Sequence, residues 1–429
     1  MQTNSSSVAS AIEAVWRIES ARIIAGLAGL VRDVGLAEEL AQDALLAALE
    51  QWPADGIPPN PGGWLTVTAK HHAIDRIRRN ERLDSKLRLL GRELETGELA
   101  GQADFAAVLD DEKIDDDLLR LMFISCHPVL STQARIALTL RLLGGLTGEE
   151  IARGFLVAEP AIAKRIVRAK RTLASNQIPF EVPPPAERPA RLASVLEVLY
   201  LVFNEGYSAM AGDDWMRPAL CNEALRLGRV LAELMPAEPE VHGLVALMEI
   251  QASRIPARLD PDGLPVPLLE QNRGRWDQLL IRRGFAALLR AERAGGPPGP
   301  FVLQAAITVC HALAHTPEQT DWAHIAALYQ ALASLTPSPV VELNRAVAVA
   351  MAFGPERGLE IVDGLAAEPA LAGYHHLPSV RGDLLAKLGR RDEAAAEFRR
   401  AASLTKNMPE RTVLLRRATG CSACPKDPT

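Results

Sequence analysis

Aromatic side chains are scarce in this chain: Phe, Tyr and Trp make up 4% of its 429 residues, against 48% hydrophobic residues in all. With Ala and Leu abundant and strand signals few, that balance points to an all-α protein. Cysteine is scarce too. Five scattered cysteines do not make a disulfide framework and suit a reducing cytoplasm. No apolar run approaches the roughly 20 residues that span a bilayer, and the opening MQTNSSSVAS has no signal-peptide core. Cytoplasmic location without membrane contact is the expectation. Glycine-rich phosphate loops, nucleophile motifs and a persuasive metal cluster are missing as well, so neither an enzyme nor a cofactor or metal is expected. The length allows two or three domains.

A net charge of −6 fits a nucleic-acid binder poorly until its placement is considered. Residues 1–178 hold 21 Lys/Arg and 24 Asp/Glu. Ten of those acids lie between Gly91 and Asp117 beside only two bases, Arg92 and Lys113, which leaves 19 bases against 14 acids elsewhere in this half. The anionic residues are gathered into one connector, 91–117, expected to be extended or loosely helical and self-repelling, with helix resuming at Leu118.

The stretch Thr147 to Leu173 reads as two short helices with a tight connection. Thr147 and Glu150 form a capping box, a Phe155–Leu156–Val157 elbow follows Gly154, and Pro160 suits the first turn of the second helix. On that helix Ile162, Ile166, Ala169 and Leu173 form one stripe, with Lys164, Arg168 and Arg171 almost opposite and Arg165 on the flank. The plain reading is an amphipathic helix with a solvated basic face. The combination of box, elbow and one-sided charge favours a recognition helix for a major groove. Before it, Leu130 to Leu143 reads as an amphipathic helix ended by Gly144 and Gly145.

Two helices come earlier. In Ala37–Trp52, stopped by Pro53, Leu40, Ala44, Leu45 and Leu49 are expected to bury, while Glu38, Glu39, Gln42, Asp43 and Leu46 lie towards a partly exposed face. That face is either solvated or a docking surface. In Trp64–Arg79, Val67, Ile74 and Ile77 share one side, and Thr68, His72, Asp75, Arg76 and Arg79 the other. Trp64 reads as a core anchor or a base-stacking platform. The adjacent His71 and His72 point about 100° apart and are no metal pair.

AEELAQDALLAALEQW, NPGGWLTVTAKHHAIDRIRR and LSTQARIALTLRLLGGLTGEEIARGFLVAEPAIAKRIVRAKRTL, in this order around an acidic connector, resemble regions 2 and 4 of an extracytoplasmic-function (ECF) sigma factor of the sigma-70 family. The resemblance implies a transcription-initiation subunit with core RNA polymerase (its β′ clamp helices and β flap) and promoter DNA as partners. It implies that Glu39, Gln42, Asp43 and Leu46 dock on core polymerase, that Trp64, Lys70, His72, Arg76 and Arg79 engage the −10 element, and that Lys164, Arg165, Arg168 and Arg171 read the −35 element. The domains are then region 2 at 8–90, the acidic linker at 91–117 and region 4 at 118–177.

A Pro-rich hinge, 178–189, opens a second half of Ala/Leu-rich amphipathic helices, 190–418, ahead of a polar tail, 419–429. Ala348–Leu359 lines up with Asp383–Ala394, and Gly354 and Gly389 stand 35 residues apart, close to the tetratricopeptide period. Together with LVFNEGYSA, RIPARLDPDG and LLEQNRGRWDQLLI, this resembles the sigma-factor subgroup with a tetratricopeptide-like C-terminal extension, although Asn272 stands where relatives often have Asp. Asn204, Glu205, Tyr207, Arg254, Arg258, Asp260, Glu270, Arg273 and Trp276 form a polar constellation. It reads as a buried salt-bridge network, a regulatory or ligand-sensing pocket, or a seam making intramolecular contact with the sigma domains. His311 and His315 lack a third ligand, and Cys421 and Cys424 form a lone pair in the tail; both are weak metal signals. The rival to a sigma factor is a stand-alone helix-turn-helix regulator with a C-terminal sensing or scaffold domain.

Overall fold

The computed structural model describes residues 2–91, 111–155, 157–208, 211–212 and 216–422, with side chains described for residues 8, 11–79, 116–155, 157–208 and 216–421. The chain divides into two compact units, Met1–Val198 and Leu199–Thr429. The division falls inside a helix, α8 (Arg188–Tyr207), rather than at the Pro-rich hinge. The reason lies in the first turns of α8. Ser194 Oγ donates to the Cys126 carbonyl at 2.6 Å, Arg191 donates to the Phe123 carbonyl at 3.1 Å, and Arg135 holds Ser194 at 2.5 Å and Glu197 at 3.0 Å.

The first unit begins with α1 (Gln2–Val31), α2 (Val34–Asp55), α3 (Pro61–Gly91) and α4 (Asp111–Ser125), with α1 packed on the other three. Alanine lets these helices approach closely: Ala25, Ala28, Ala37, Ala41, Ala44, Ala48, Ala69 and Ala73 are all fully buried. Asp33 starts α2 by accepting from the Leu36 amide at 2.8 Å. Pro53 does not stop that helix, because it sits in the last turn, where little hydrogen bonding is lost; Gly56, at φ 87°, ends it. The expected register of two helices shifts. Leu49 is exposed, and α3 buries Leu65, Ala69 and Ala73 while Val67 is 47% exposed and Ile74 and Ile77 are half-buried. Small residues won the contact face of α3 over larger ones. Helix α1 takes in the opening serines, so order begins before residue 8, and α4 starts at Asp111, inside the acidic connector. Asp117 is buried against Gly29 and pairs with Arg120 at 2.5 Å. Residues 92–110 of the connector lie outside the described residues.

Next come α5 (Thr132–Leu142), α6 (Gly148–Phe155) and α7 (Glu159–Ser175), packed on one another. Ser131 caps α5, and Gly145, at φ 64°, turns the chain where an added Cβ would come 2.8 Å from Ser20 Oγ of α1.

The second unit continues with α9 (Pro218–Leu234), α10 (Pro239–Ser253), α11 (Gln278–Ala294), α12 (Pro300–Leu313), α13 (Trp322–Leu335), α14 (Pro339–Phe353), α15 (Pro355–Gly364), α16 (His376–Lys387), α17 (Arg391–Leu404) and α18 (Met408–Ser422). Proline opens many of them because its missing N–H has no intrahelical partner there anyway. α10 is buried along most of its length among α9, α11 and α12. Its Glu240 carboxylate accepts from the Phe301 and Val302 amides at 2.8 and 3.2 Å and so caps α12 from outside. From α12 to α18 each helix packs on the next. Gly354 and Gly389, the aligned glycines, both have positive φ, 105° and 76°, where α14 passes to α15 and α16 to α17. β1 (Ala211–Gly212) pairs in parallel with β2 (Lys406–Asn407), a short bridge within an otherwise helical fold. Among the described residues no helix is long and apolar enough to cross a membrane.

Candidate nucleic-acid and polymerase interfaces

The α6–α7 pair forms as its sequence suggests. The Thr147 amide donates to Glu150 Oε2 at 2.8 Å and the Glu150 amide to Thr147 Oγ1 at 3.1 Å, a reciprocal capping box. On α7, Ile162, Ile166, Ala169 and Leu173 are buried, while Lys164, Arg168 and Arg171 are exposed and Arg165 is half-buried. No ion pair engages these four cations among the described residues, so their charge is available to phosphates. Val167, 46% exposed, and Ala161 lie among them and add apolar surface of the kind that meets a thymine methyl. Leu156 of the elbow lies outside the described residues.

The residues expected at the −10 element do not share one face. Arg76 and Arg79 are exposed on α3, together with Arg78, which the sequence reading left out despite its place in the RIRR run. His72 is half-buried with Nδ1 shielded from water. Trp64 meets Trp52 edge to face with centroids 5.4 Å apart, which makes it a core anchor with one side open. Lys70 instead lines a cleft of about 1160 Å³ with Arg22 and Arg32 of α1 and its turn, Arg120 of α4, and residues 177–181 after α7. Those arginines come from separate segments, so no local pattern in the sequence brings them together.

On α2, Glu39, Asp43 and Leu46 are exposed in line, Leu46 by 56%. Glu50 extends the row and was missed for lack of any signal beyond its spacing. Gln42 differs from them: it is half-buried and donates to Glu38 Oε1 at 2.6 Å. Glu38 is the more consequential residue. Only 3% exposed, its carboxylate takes Arg141 Nε of α5 at 2.6 Å and Lys170 Nζ of α7. Lys170 therefore points away from the exposed basic face of α7. A second bridge, Arg17 to Glu150 at 2.9 Å, ties α1 to α6.

In the second unit the nine-residue constellation separates into parts. Glu205 pairs with Arg217, and the Tyr200 hydroxyl, whose pKa burial pushes upward, donates to Gln304 Oε1 at 3.2 Å; Asn204 stands one turn further along α8. Arg258, 5% exposed, lies over the Tyr207 ring at 3.4 Å and donates to the Tyr207 carbonyl; burial lowers its pKa to about 10. Arg254 and Arg273 sit 5.7 and 5.1 Å from the Trp276 ring centre. Arg273 also donates to the His311 and Ala314 carbonyls at 2.7 and 2.5 Å, closing the end of α12. Asp260 is used within its own turn by the Asp262 and Leu264 amides, and Glu270 lies in a short 3-10 turn, Leu268–Glu270. Arginine over aromatic rings and carbonyls, not a carboxylate-rich network, holds this region. His311 packs edge-on to Trp322 at 5.1 Å, and His315 lies beyond the end of α12, so the pair does not share a helical face. Cys421 packs at the margin of the α14–α18 core, and Cys424 lies outside the described residues.

Residues 19–83 match the family model of sigma-70 region 2, residues 120–173 that of sigma-70 region 4, and residues 191–292 a family of unknown function, DUF6596. An uncharacterized protein of Rhizobium meliloti (strain 1021) is 45% identical over 379 residues, 88% of each chain.

Proposed function

We propose that this chain, which belongs to the sigma-70 family, is an ECF-type sigma factor that directs core RNA polymerase to its promoters and is regulated in cis by its helical C-terminal unit. The observation that carries the reading is α7: a buried apolar stripe with Lys164, Arg168 and Arg171 exposed and unpaired on the second helix of a capped helix-turn-helix. Phosphate contacts from these cations supply salt-dependent affinity, and guanidinium groups at base edges supply discrimination at the −35 element. Arg76 and Arg79, with Arg78, serve the −10 element from α3, and Lys70 reaches strand from the adjoining cleft. Glu39, Asp43 and Leu46 form the polymerase contact, an apolar side chain ringed by acids that suits a basic helical partner. Positive-φ glycines 35 residues apart, at the α14–α15 and α16–α17 turns, support a tetratricopeptide-like arrangement in α14–α17.

Run-off transcription with core polymerase tests the reading, comparing the full chain with one ending at Val198. That end point keeps the first turns of α8, which a cut in the hinge would strip from α4 and α5. Promoter-specific transcripts that depend on the chain are expected, and removal of the C-terminal unit is expected to change their amount. Specific operator binding without polymerase, and no transcription with it, would favour a stand-alone regulator.

A further inference from the structure

Three donors from two separated segments converge in the second unit. His375 and His376 stand at the start of α16 and Glu410 in the first turn of α18, and one donor atom from each lies within 4.8 Å of the others. His375 Nε2 is 3.0 Å from Glu410 Oε2. Yet that nitrogen is buried without a well-aligned hydrogen bond, so the two atoms sit side by side rather than along a donor line. Bonds of about 2.0–2.1 Å around a tetrahedral zinc place neighbouring ligand atoms roughly 3.3 Å apart. The observed 3.0 Å separation is close to that spacing, and, unlike His71 and His72, the adjacent His375 and His376 bring donor atoms within 4.8 Å of each other and of Glu410.

The surroundings prepare the carboxylate. Thr405 donates to Glu410 Oε2 at 2.8 Å, and the Glu410 amide donates to Asn407 Oδ1 at 3.2 Å. The two imidazole rings lie 4.0 Å apart, against each other, with Tyr374 edge-on to His376 at 5.0 Å. Hydroxyl and ring contacts that orient ligands from behind are what a metal centre uses to hold its geometry. Two imidazoles and one carboxylate suit zinc and its neighbours in the first transition row better than calcium or magnesium.

We infer that His375, His376 and Glu410 form a binding site for a divalent transition cation of the zinc class, with solvent completing the coordination. The site joins the start of α18 to the start of α16, next to the β2 residues that pair with β1. Occupancy therefore clamps the last helix of the unit, independently of how the first unit reads DNA.

Calorimetry with zinc sulfate and the untagged, chelator-treated full chain tests the inference, paired with cobalt absorption spectra. One zinc per chain is expected, with a higher melting temperature, and a cobalt spectrum free of thiolate charge transfer. His376→Ala leaves the His375–Glu410 pair in place, so the chain stays folded; its zinc affinity falls at least tenfold, and Glu410→Gln behaves alike. Absence of zinc binding by the folded wild-type chain overturns the site, leaving a His375–Glu410 contact. So does binding that survives His376→Ala and is abolished by His315→Ala, or by a Cys421→Ser/Cys424→Ser double variant.

Discussion

Replacing Glu38 with Gln removes the one charge that α2 shares with both α5 and α7 while keeping the side chain's shape. In the native chain the carboxylate is 3% exposed, and its cationic partners Arg141 and Lys170 keep about a quarter of their side-chain surface in water (26% and 22%). Breaking a fully buried pair costs about 3–5 kcal/mol because the remaining charge is stranded. Here two cations are stranded, but each has some access to water, so about 2–3 kcal/mol is expected. Urea denaturation of the full chain reads this as a lower midpoint for the first unit's transition. Hydrogen exchange reads it as faster opening of α7. A double-mutant cycle with Lys170→Met should return a coupling of at least about 1 kcal/mol. On the proposed function α3 and α7 serve separated promoter elements and must move independently, and this carboxylate ties one to the bundle of the other. A loss of about 2.7 kcal/mol shifts a closed-to-open ratio about a hundredfold, so transcription at limiting polymerase should rise. Unchanged stability together with unchanged α7 exchange would refute the reasoning.

Arg168→Ala and Arg171→Ala should each weaken promoter complexes, with a shallower dependence on salt, and leave the melting temperature within about 1 °C, since both side chains are exposed; filter binding across a salt series checks this. Leu46→Glu should reduce co-purification with core polymerase by tenfold or more without altering circular dichroism. Phe398→Ala, in the core of α14–α18 and against Gly382, should cost about 3–5 kcal/mol by chemical denaturation. His311 is lowered to about 4, first by burial and then by Arg254 and Arg273. The unfolded chain therefore takes up a proton near pH 6.5 that the folded chain refuses until about 4. Stability from this group is present above 6.5 and falls as acid is added through that window, by at most about 1.4 kcal/mol per pH unit. His311→Gln should flatten the profile.

Much of the first unit was legible because its signals are local. The capping box, the buried stripe of α7 and the glycines after α5 depend on residues within one or two turns, and all formed as spaced. The α3 register was misread because size was taken as a guide to burial, whereas Ala69 and Ala73 bury by letting α1 and α2 come close. Gln42 and Glu38 look alike in a helical wheel; that Glu38 is the one fully buried was decided by Arg141 and Lys170, more than a hundred residues away from it. The same limit applies to the C-terminal constellation. Residue types correctly marked a polar region, but pairing was set by helix ends and aromatic faces, such as the carbonyls that close α12 on Arg273. The His375–His376–Glu410 grouping spans 35 positions and carries no motif spacing.

The two-residue pairing of Ala211–Gly212 with Lys406–Asn407 gives the C-terminal half a property that stacked helical pairs normally lack. In an open stack the final pair can be dropped or another appended, since each touches only its neighbours. Here the first stretch after α8 is stitched to the stretch just before α18, so the number of intervening helices is set by the distance that must be closed. Lineages carrying this half should vary in their loops and conserve their helix count.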